Sequence, residues 1–375
     1  MHYPIPCLDR SRRKRPTVNK DFGQGRSWLH TSSTLRSIQP PSKLDEERLL
    51  TTLCRNPDLA REDAKNELRW IIEETEVTKG ASYEEEVSRR VERRGDGEPL
   101  QYILGMLVSR LRIAISVYSF SAIFTGNTDF GPLNLLCRPP VLIPRPETAF
   151  VFSQLAKLVA DRYSSSGKKN KVSILDLYTG SGAIALLLRH ELGRSVLDLV
   201  LVGFDVNPVA IALAKENGSK VRMEEVSFAK TNVMESSVIM DASCIMGGRV
   251  HMITANPPYI PFEEYQALST SVRDYEDVDA LLGDGDARQR LDLRKGDGLS
   301  HYRRIASLLK LLCHEPQDAL WWNDRGLPQV AVEIGAKQGQ AVSKILSQDS
   351  QGFIRRTEIW KDQYDRDRMV VGWSV

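Results

Sequence analysis

Hydrophobic and polar positions divide the chain into four stretches with different periods. Up to about Lys43 there is little apolar periodicity. Arg, Ser, Thr and Pro dominate residues 1–43, acids are scarce, and too few apolar side chains occur to bury a core, so this stretch is expected to be disordered. From 44 to 105 the spacing is helical. Asn56-Pro57 reads as a cap followed by a first-turn proline, with Leu68, Trp70, Ile71 and Ile72 as an apolar cluster downstream. Ser82 with Glu85 reads as a capping box opening a second helix, on which Tyr83, Val87 and Val91 recur every four residues. These signals predict a small helical domain that ends in GEPLQYILG (Gly97–Gly105).

Between 106 and 170 extended pieces and prolines prevail, as in a linker. Pro140, Pro144 and Pro146 forbid a continuous helix through VLIPRPET (Val141–Thr148), and a helix is expected to resume over Ala149–Asp161, before a loop at Ser164–Asn170. From Lys171 onward strand-like apolar runs alternate with helical patterns. Val172–Leu177, Leu199–Phe204 and Val250–Ala255 read as strands, and Ala183–His190 and Val209–Asn217 as helices, the latter capped by Asn207-Pro208. Such alternation predicts an α/β fold with a largely parallel sheet over 171–375.

Composition changes the picture in one respect. The formal charge is only +2, yet residues 1–43 carry nine basic and two acidic side chains, a net +7, which leaves −5 for the rest. An Arg- and Ser-rich, acid-poor leader reads as a mitochondrial transit segment, with an ordinary basic tail or a nuclear signal at Arg12–Arg15 as the alternatives. The five cysteines show no CxxC spacing and the histidines form no ligand pattern with them, so no metal site is expected. The apolar run Ile113–Gly126 is interrupted by serines and is shorter than the roughly 20 residues a membrane span needs.

Candidate chemistry lies at the strand ends. Val172–Leu177 runs into Tyr178-Thr179-Gly180-Ser181-Gly182, a turn whose glycines let a ligand approach the backbone. The next strand ends in Asp205, placed to bind ribose hydroxyls. The turn does not match GxGxxG, so a ligand with one ribose and no diphosphate fits better, and S-adenosylmethionine is such a ligand. Asn256-Pro257-Pro258-Tyr259 follows the strand Val250–Ala255. Its prolines remove amide donors and stiffen the turn, leaving the Asn256 side-chain oxygen and the Pro257 carbonyl to accept from a substrate NH2 while the Tyr259 ring faces a planar group. A planar amine or amide is the implied substrate, and positioning must do most of the work because no base is written into this motif.

With these residues in hand, the chain resembles the release-factor glutamine methyltransferases of the HemK/PrmC family over roughly 44–375. The resemblance rests on GEPLQYILG, LIPRPET, ILDLYTGSGAIAL, GFDVNPVAIALAKEN, ITANPPYIP, Val272–Glu276, Gly296–Leu299 and VEIGAKQGQAV (Val332–Val342). NPPY alone is shared with adenine-N6 and guanine-N2 methyltransferases; GEPLQYILG with LIPRPET is more specific. The resemblance implies a Rossmann-like class I methyltransferase sheet preceded by a helical substrate-binding domain. It also implies methyl transfer from S-adenosylmethionine to the side-chain amide (N5) of the GGQ glutamine in a class I peptide-chain release factor, which tunes translation termination. Carried over, Tyr178, Thr179, Gly180, Ser181 and Gly182 surround the methionine part, Asp205 meets the ribose, Asn232 and Val233 lie at the adenine, and Asn256, Pro257, Pro258 and Tyr259 at the substrate, with Asn256 also near the cofactor. Two departures stand out: Tyr178 occupies a position where glycine or a small residue is common, and Asn232 one where aspartate is usual, so weaker cofactor affinity is expected. The helical domain points to an organellar, fungal-like branch and, with the leader, to the mitochondrial matrix; the cytoplasm is the alternative.

Family members run from YILG almost straight into the next strand, whereas Met106–Gly126 intervenes here and reads as a retained intron or as a lineage-specific loop. The charged stretch Asp284–Lys295 reads as a solvated loop, and Trp321-Trp322 as packing at a strand edge. Two rival readings are a nucleic-acid base-amine methyltransferase and a catalytically impaired S-adenosylmethionine-fold binding protein. Direct nucleic-acid binding and a membrane partner are not expected, because the body without leader and insertion is acidic, at −7.

Overall fold

The computed structural model describes residues 44–77, 83–104, 127–164, 170–193, 195–284 and 296–375. The basic leader, Ser82 of the capping box, Met106–Gly126 and nearly all of Asp284–Lys295 lie outside the described residues. Residues from Asp45 to Val375 form one compact unit.

The helical region comprises α1 (Glu46–Leu53), α2 (Arg61–Val77), α3 (Tyr83–Gly95) and the short α4 (Leu100–Ile103). Asp45 caps α1 by accepting from the Arg48 amide at 3.1 Å. Leu49, Leu50, Leu53, Ala64, Leu68, Ile71, Val87 and Val91 bury the facing stripes of the first three helices. Asn56-Pro57 does not open a helix, and α2 begins only at Arg61. The Asn56 side chain is buried, and a buried amide needs partners. Its Nδ2 donates to the Arg94 carbonyl at 3.0 Å and its Oδ1 accepts from the Asp58 amide at 2.9 Å, so it ties the α1–α2 turn to the end of α3. Gly95 allows that approach, since a Cβ there would lie 2.5 Å from the Thr52 carbonyl oxygen.

The stretch expected as a linker holds regular structure. Strands β1 (Asn127–Phe130) and β2 (Leu133–Leu136) pair antiparallel about Gly131, and α5 runs over Pro146–Ser164. The helix starts before the expected Ala149 because Pro146 occupies its first turn, where no amide donor is needed. Ala149, Phe152, Leu155, Ala156 and Val159 place α5 in the same core as the sheet.

The remaining elements are β3 (Val172–Leu177), α6 (Ala183–Leu192), β4 (Leu199–Asp205), α7 (Pro208–Lys220), β5 (Ser227–Lys230), α8 (Ser237–Met246), β6 (Met252–Ala255), the short α9 (Phe262–Gln266), α10 (Thr270–Arg273) and α11 (Val278–Leu281), then α12 (Ser300–Leu312), the short α13 (Leu320–Asn323), β7 (Val330–Glu333), α14 (Gly339–Asp349), β8 (Arg356–Lys361) and β9 (Asp367–Trp373). Among the described residues the sheet has the order β5-β4-β3-β6-β7-β9-β8, parallel except for β9, which runs antiparallel between β7 and β8. This is the expected α/β sheet of the class I methyltransferase type, preceded by a helical region. β6 is shorter at its start than expected, because Val250 bridges Cys313 instead of joining the strand ladder. Trp322 is buried and donates its Nε1–H to the Pro328 carbonyl at 3.0 Å, which accounts for the Trp pair as packing. Strand order reverses between β3 and β6, so the crevice that such sheets use for ligands opens at their carboxyl ends.

Candidate active site

Asp176, near the end of β3, is fully buried and organises the crevice floor. Its carboxylate accepts from the Thr179 hydroxyl at 2.6 Å and the Thr254 hydroxyl at 2.7 Å, joining β3, the following turn and β6. Burial pushes this carboxyl up to about 7, and the two hydroxyl bonds pull in the opposite direction.

The turn Tyr178–Gly182 has three residues with left-handed φ: Tyr178 at 58°, Gly180 at 55° and Gly182 at 81°. Gly182 is required by packing as well, because a Cβ would lie 2.9 Å from the Phe228 ring. A Cβ on Gly180 would meet nothing within 4 Å, so open space lies in front of the turn. Asp205 at the end of β4 accepts from the Gly180 amide at 2.8 Å and the Asn207 amide at 2.9 Å, which fixes turn and strand end together. Asn207 caps α7 through the Val209 amide at 2.9 Å, as its position in sequence predicts. Burial raises the Asp205 carboxyl above the ordinary range.

Tyr178 bears a side chain where the backbone conformation favours glycine. Its phenol meets His301 Nδ1 at 3.0 Å, and the two rings stand edge-on at 5.2 Å. Burial lowers His301 to about 4, leaving a neutral imidazole at pH 7. Asn232 is half-buried after β5. Its Oδ1 accepts from the Met234 amide at 3.0 Å and its Nδ2 donates to Glu235 at 3.0 Å, while the carbonyl of buried Val233 accepts from Arg304 at 2.9 Å.

Asn256-Pro257-Pro258-Tyr259 leaves β6 at the same end of the sheet. Pro257 and Pro258 are buried, and the Tyr259 carbonyl accepts from Gln338 Nε2 at 2.9 Å. The half-buried Asn256 side chain makes no hydrogen bond among the described residues. The structure thus brings Tyr178–Gly182, Asp205 and Asn256–Tyr259 to the carboxyl ends of three adjacent strands, β4, β3 and β6, with Asn232-Val233 beyond β5.

Residues outside the sequence motifs complete the frame. Asn217 of α7 is fully buried and donates to the Ser181 carbonyl at 3.0 Å. Tyr275, Glu276 and Asp277 each hold a different part: the Tyr275 hydroxyl donates to the Asp96 carbonyl at 3.2 Å, Glu276 accepts from Arg145 at 2.5 Å and from the Ile143 amide at 3.3 Å, and Asp277 accepts from Asn207 Nδ2 at 2.8 Å. A cleft of about 250 Å³ opens at this junction, lined by Glu67, Arg94, Gln101, Arg145 and Glu276 among others. The resemblance pointed at this stretch as a motif; the partners of its side chains come from tertiary contacts that no local spacing encodes.

No family model matches the chain. Among curated proteins it is similar to the release factor glutamine methyltransferase of Bacillus subtilis (strain 168), 30% identical over 282 residues that make up 75% of this chain and 77% of that protein. It is also similar to the release factor glutamine methyltransferase of Fusobacterium nucleatum subsp. nucleatum, 31% identical over 246 residues, 66% of this chain; the match spans 57% of that longer protein. Among solved structures it is similar to a protein-(glutamine-N5) methyltransferase (release factor-specific) from Alicyclobacillus acidocaldarius subsp. acidocaldarius, at 18% identity over 62% of this chain and 94% of that chain, with a TM-score of 0.32.

Proposed function

The chain belongs to the HemK/PrmC family of release factor glutamine methyltransferases, and we propose that it methylates the side-chain amide nitrogen (N5) of the GGQ glutamine in a class I peptide-chain release factor, in the mitochondrial matrix. The observation that carries this reading is Asn256: an amide with no partner among the described residues, held between a strand end and two buried prolines, beside a glycine turn with open space in front of it.

The residues fit S-adenosylmethionine. Gly180 leaves room against the turn, Asp205 closes the end of β4 with a carboxylate suited to ribose hydroxyls, and Val233 with half-buried Asn232 offers an apolar and an amide surface for an adenine. Tyr178, Thr179, Ser181 and Gly182 complete the turn on the methionine side. When bound, the cofactor supplies an electrophilic methyl group. Asn256 Oδ1 and the Pro257 carbonyl accept the two N–H bonds of the substrate amide, which aligns its nitrogen and stabilises the positive charge that develops on it. Pro258 stiffens the turn and Tyr259 offers a ring face to the planar amide. Loss of the proton to water completes the reaction. The helical region and the cleft beside it provide the second hold on a protein substrate. The matrix assignment rests on the composition of residues 1–43.

An assay with labelled S-adenosylmethionine tests this directly, using a class I release factor against RNA and DNA. Label on the release factor supports the reading, label on nucleic acid alone overturns it in favour of base-amine methylation, and failure to bind the cofactor by calorimetry leaves a non-enzymatic protein.

A further inference from the structure

Tyr178 stands two residues before Gly180, in front of which lies open space, and its left-handed φ of 58° is a conformation that side-chain-bearing residues rarely hold. Contacts outside the turn must fix it. The half-buried ring packs against the core that contains Leu177, Val233 and Tyr302. Its hydroxyl has one proton to give and two acceptors within reach, His301 Nδ1 at 3.0 Å and Met234 Sδ at 3.9 Å. The imidazole nitrogen is the stronger acceptor, since a thioether sulfur accepts only weakly. Because burial holds His301 at about 4, its ring is neutral at pH 7 and one nitrogen can accept.

Helix α12 is a firm anchor for that bond. On either side of His301, Ser300 Oγ donates to Asp284 at 2.6 Å and the Tyr302 hydroxyl donates to the Glu333 carbonyl at 2.8 Å. Arg304 donates to the Val233 carbonyl at 2.9 Å and the Glu235 carbonyl at 2.7 Å, so the helix is fastened to the loop that follows β5. The Tyr178 and His301 rings stand edge-on, with centroids 5.2 Å apart. Resting on the S-adenosylmethionine reading above, we propose that His301 is a positioning residue of the cofactor site, holding the Tyr178 phenol against α12 and so keeping the space before the glycine turn open for the cofactor.

A tyrosine has alternative staggered positions about its Cα–Cβ bond. With His301 as acceptor, one of them is favoured. Without it, the hydroxyl would remain in half-buried surroundings with only a thioether for a partner, and an under-satisfied hydroxyl is drawn toward water. Water and cofactor share the open space before Gly180, two residues on in the same turn. A phenol swung there opposes cofactor binding, so the tyrosine costs affinity in proportion to how often it leaves α12.

Calorimetry with S-adenosylmethionine tests this on the full chain. His301→Phe keeps an edge-on ring and removes the acceptor, whereas His301→Asn keeps an acceptor close to the Nδ1 position. Kd should rise about tenfold in the first and stay within about threefold of wild type in the second, both with a cooperative melt. In a Tyr178→Gly background His301→Phe should change Kd by less than about twofold, because no phenol remains to be held. A wild-type Kd in His301→Phe overturns the proposal. So does a loss that persists in the Tyr178→Gly background, which gives His301 a separate role in the fold or at the cofactor. Wild type that binds no S-adenosylmethionine overturns the cofactor reading and the proposal with it. Release-factor methylation does not enter this readout, so the function can fail while the Kd values uphold the proposal.

Discussion

Replacing Asn217 with alanine should weaken the fold and the cofactor turn together. Asn217 lies in α7 and is fully buried. Its Oδ1 accepts from the Leu136 amide at 2.7 Å, and its Nδ2 donates to the Leu136 carbonyl at 3.3 Å and the Ser181 carbonyl at 3.0 Å. One side chain therefore joins β2 to the glycine turn. Alanine removes all three bonds and strands the Leu136 amide and the Ser181 carbonyl in buried residues. At about 1 kcal/mol for each net hydrogen bond, with a further penalty for stranded groups, the loss is about 3–4 kcal/mol. Unfolding entropy grows with chain length, so in a unit of this size the loss lowers Tm by only about 4–6 °C. Loosening Ser181 should also weaken S-adenosylmethionine binding by about tenfold, the equivalent of one hydrogen bond. Asn217→Asp keeps the acceptor for Leu136 but sets a carboxylate against two carbonyls, and should melt lower than the alanine variant. Calorimetry measures both quantities. A melting point within about 1 °C of wild type and a Kd within about twofold would refute the reasoning.

Three further changes have defined outcomes. Tyr178→Gly releases a left-handed φ of 58° that costs a side-chain-bearing residue about 1–2 kcal/mol, and clears the turn; calorimetry should show S-adenosylmethionine binding at least about threefold tighter, and weaker binding would contradict the fit. Glu276→Gln removes the charge that Arg145 and the Ile143 amide share at a side chain 1% exposed, costing about 2 kcal/mol, and should raise the KM for release factor while leaving cofactor affinity intact; an unchanged KM would remove the link between this segment and the substrate. Because α4 and β1, which flank Met106–Gly126, pack against each other, deleting that stretch should leave Tm unchanged or slightly higher, and loss of a cooperative melt would show that it is integral to the fold.

Sequence reasoning succeeded where a signal is local. Asn207-Pro208 caps α7 because the side chain reaches an amide two residues on, and Val172–Leu177 is a strand buried along its whole length. It failed where a distant partner competes. The Asn56-Pro57 signature is that of a helix start, but burial hands the Asn56 amide to the Arg94 carbonyl, and α2 waits until Arg61. In VLIPRPET the prolines predict a break before a helix from Ala149, yet Pro146 sits in the first turn of α5. The NPPY residues and the glycine turn are legible as candidates; the roles of Asn217 and Glu276 are not. Their partners lie on other elements and are set by sheet register and helix packing, which appear only once the chain has folded.

The central claim is that the Asn256 crevice receives the amide of a glutamine in a GGQ loop. Mass spectrometry of the GGQ-containing peptide of the mitochondrial release factor, isolated from cells with and without this gene, tests it most directly. The account predicts one added methyl group on the glutamine when the gene is present, lost on deletion and not restored by Asn256→Ala. The same methylation state in all three backgrounds would contradict it.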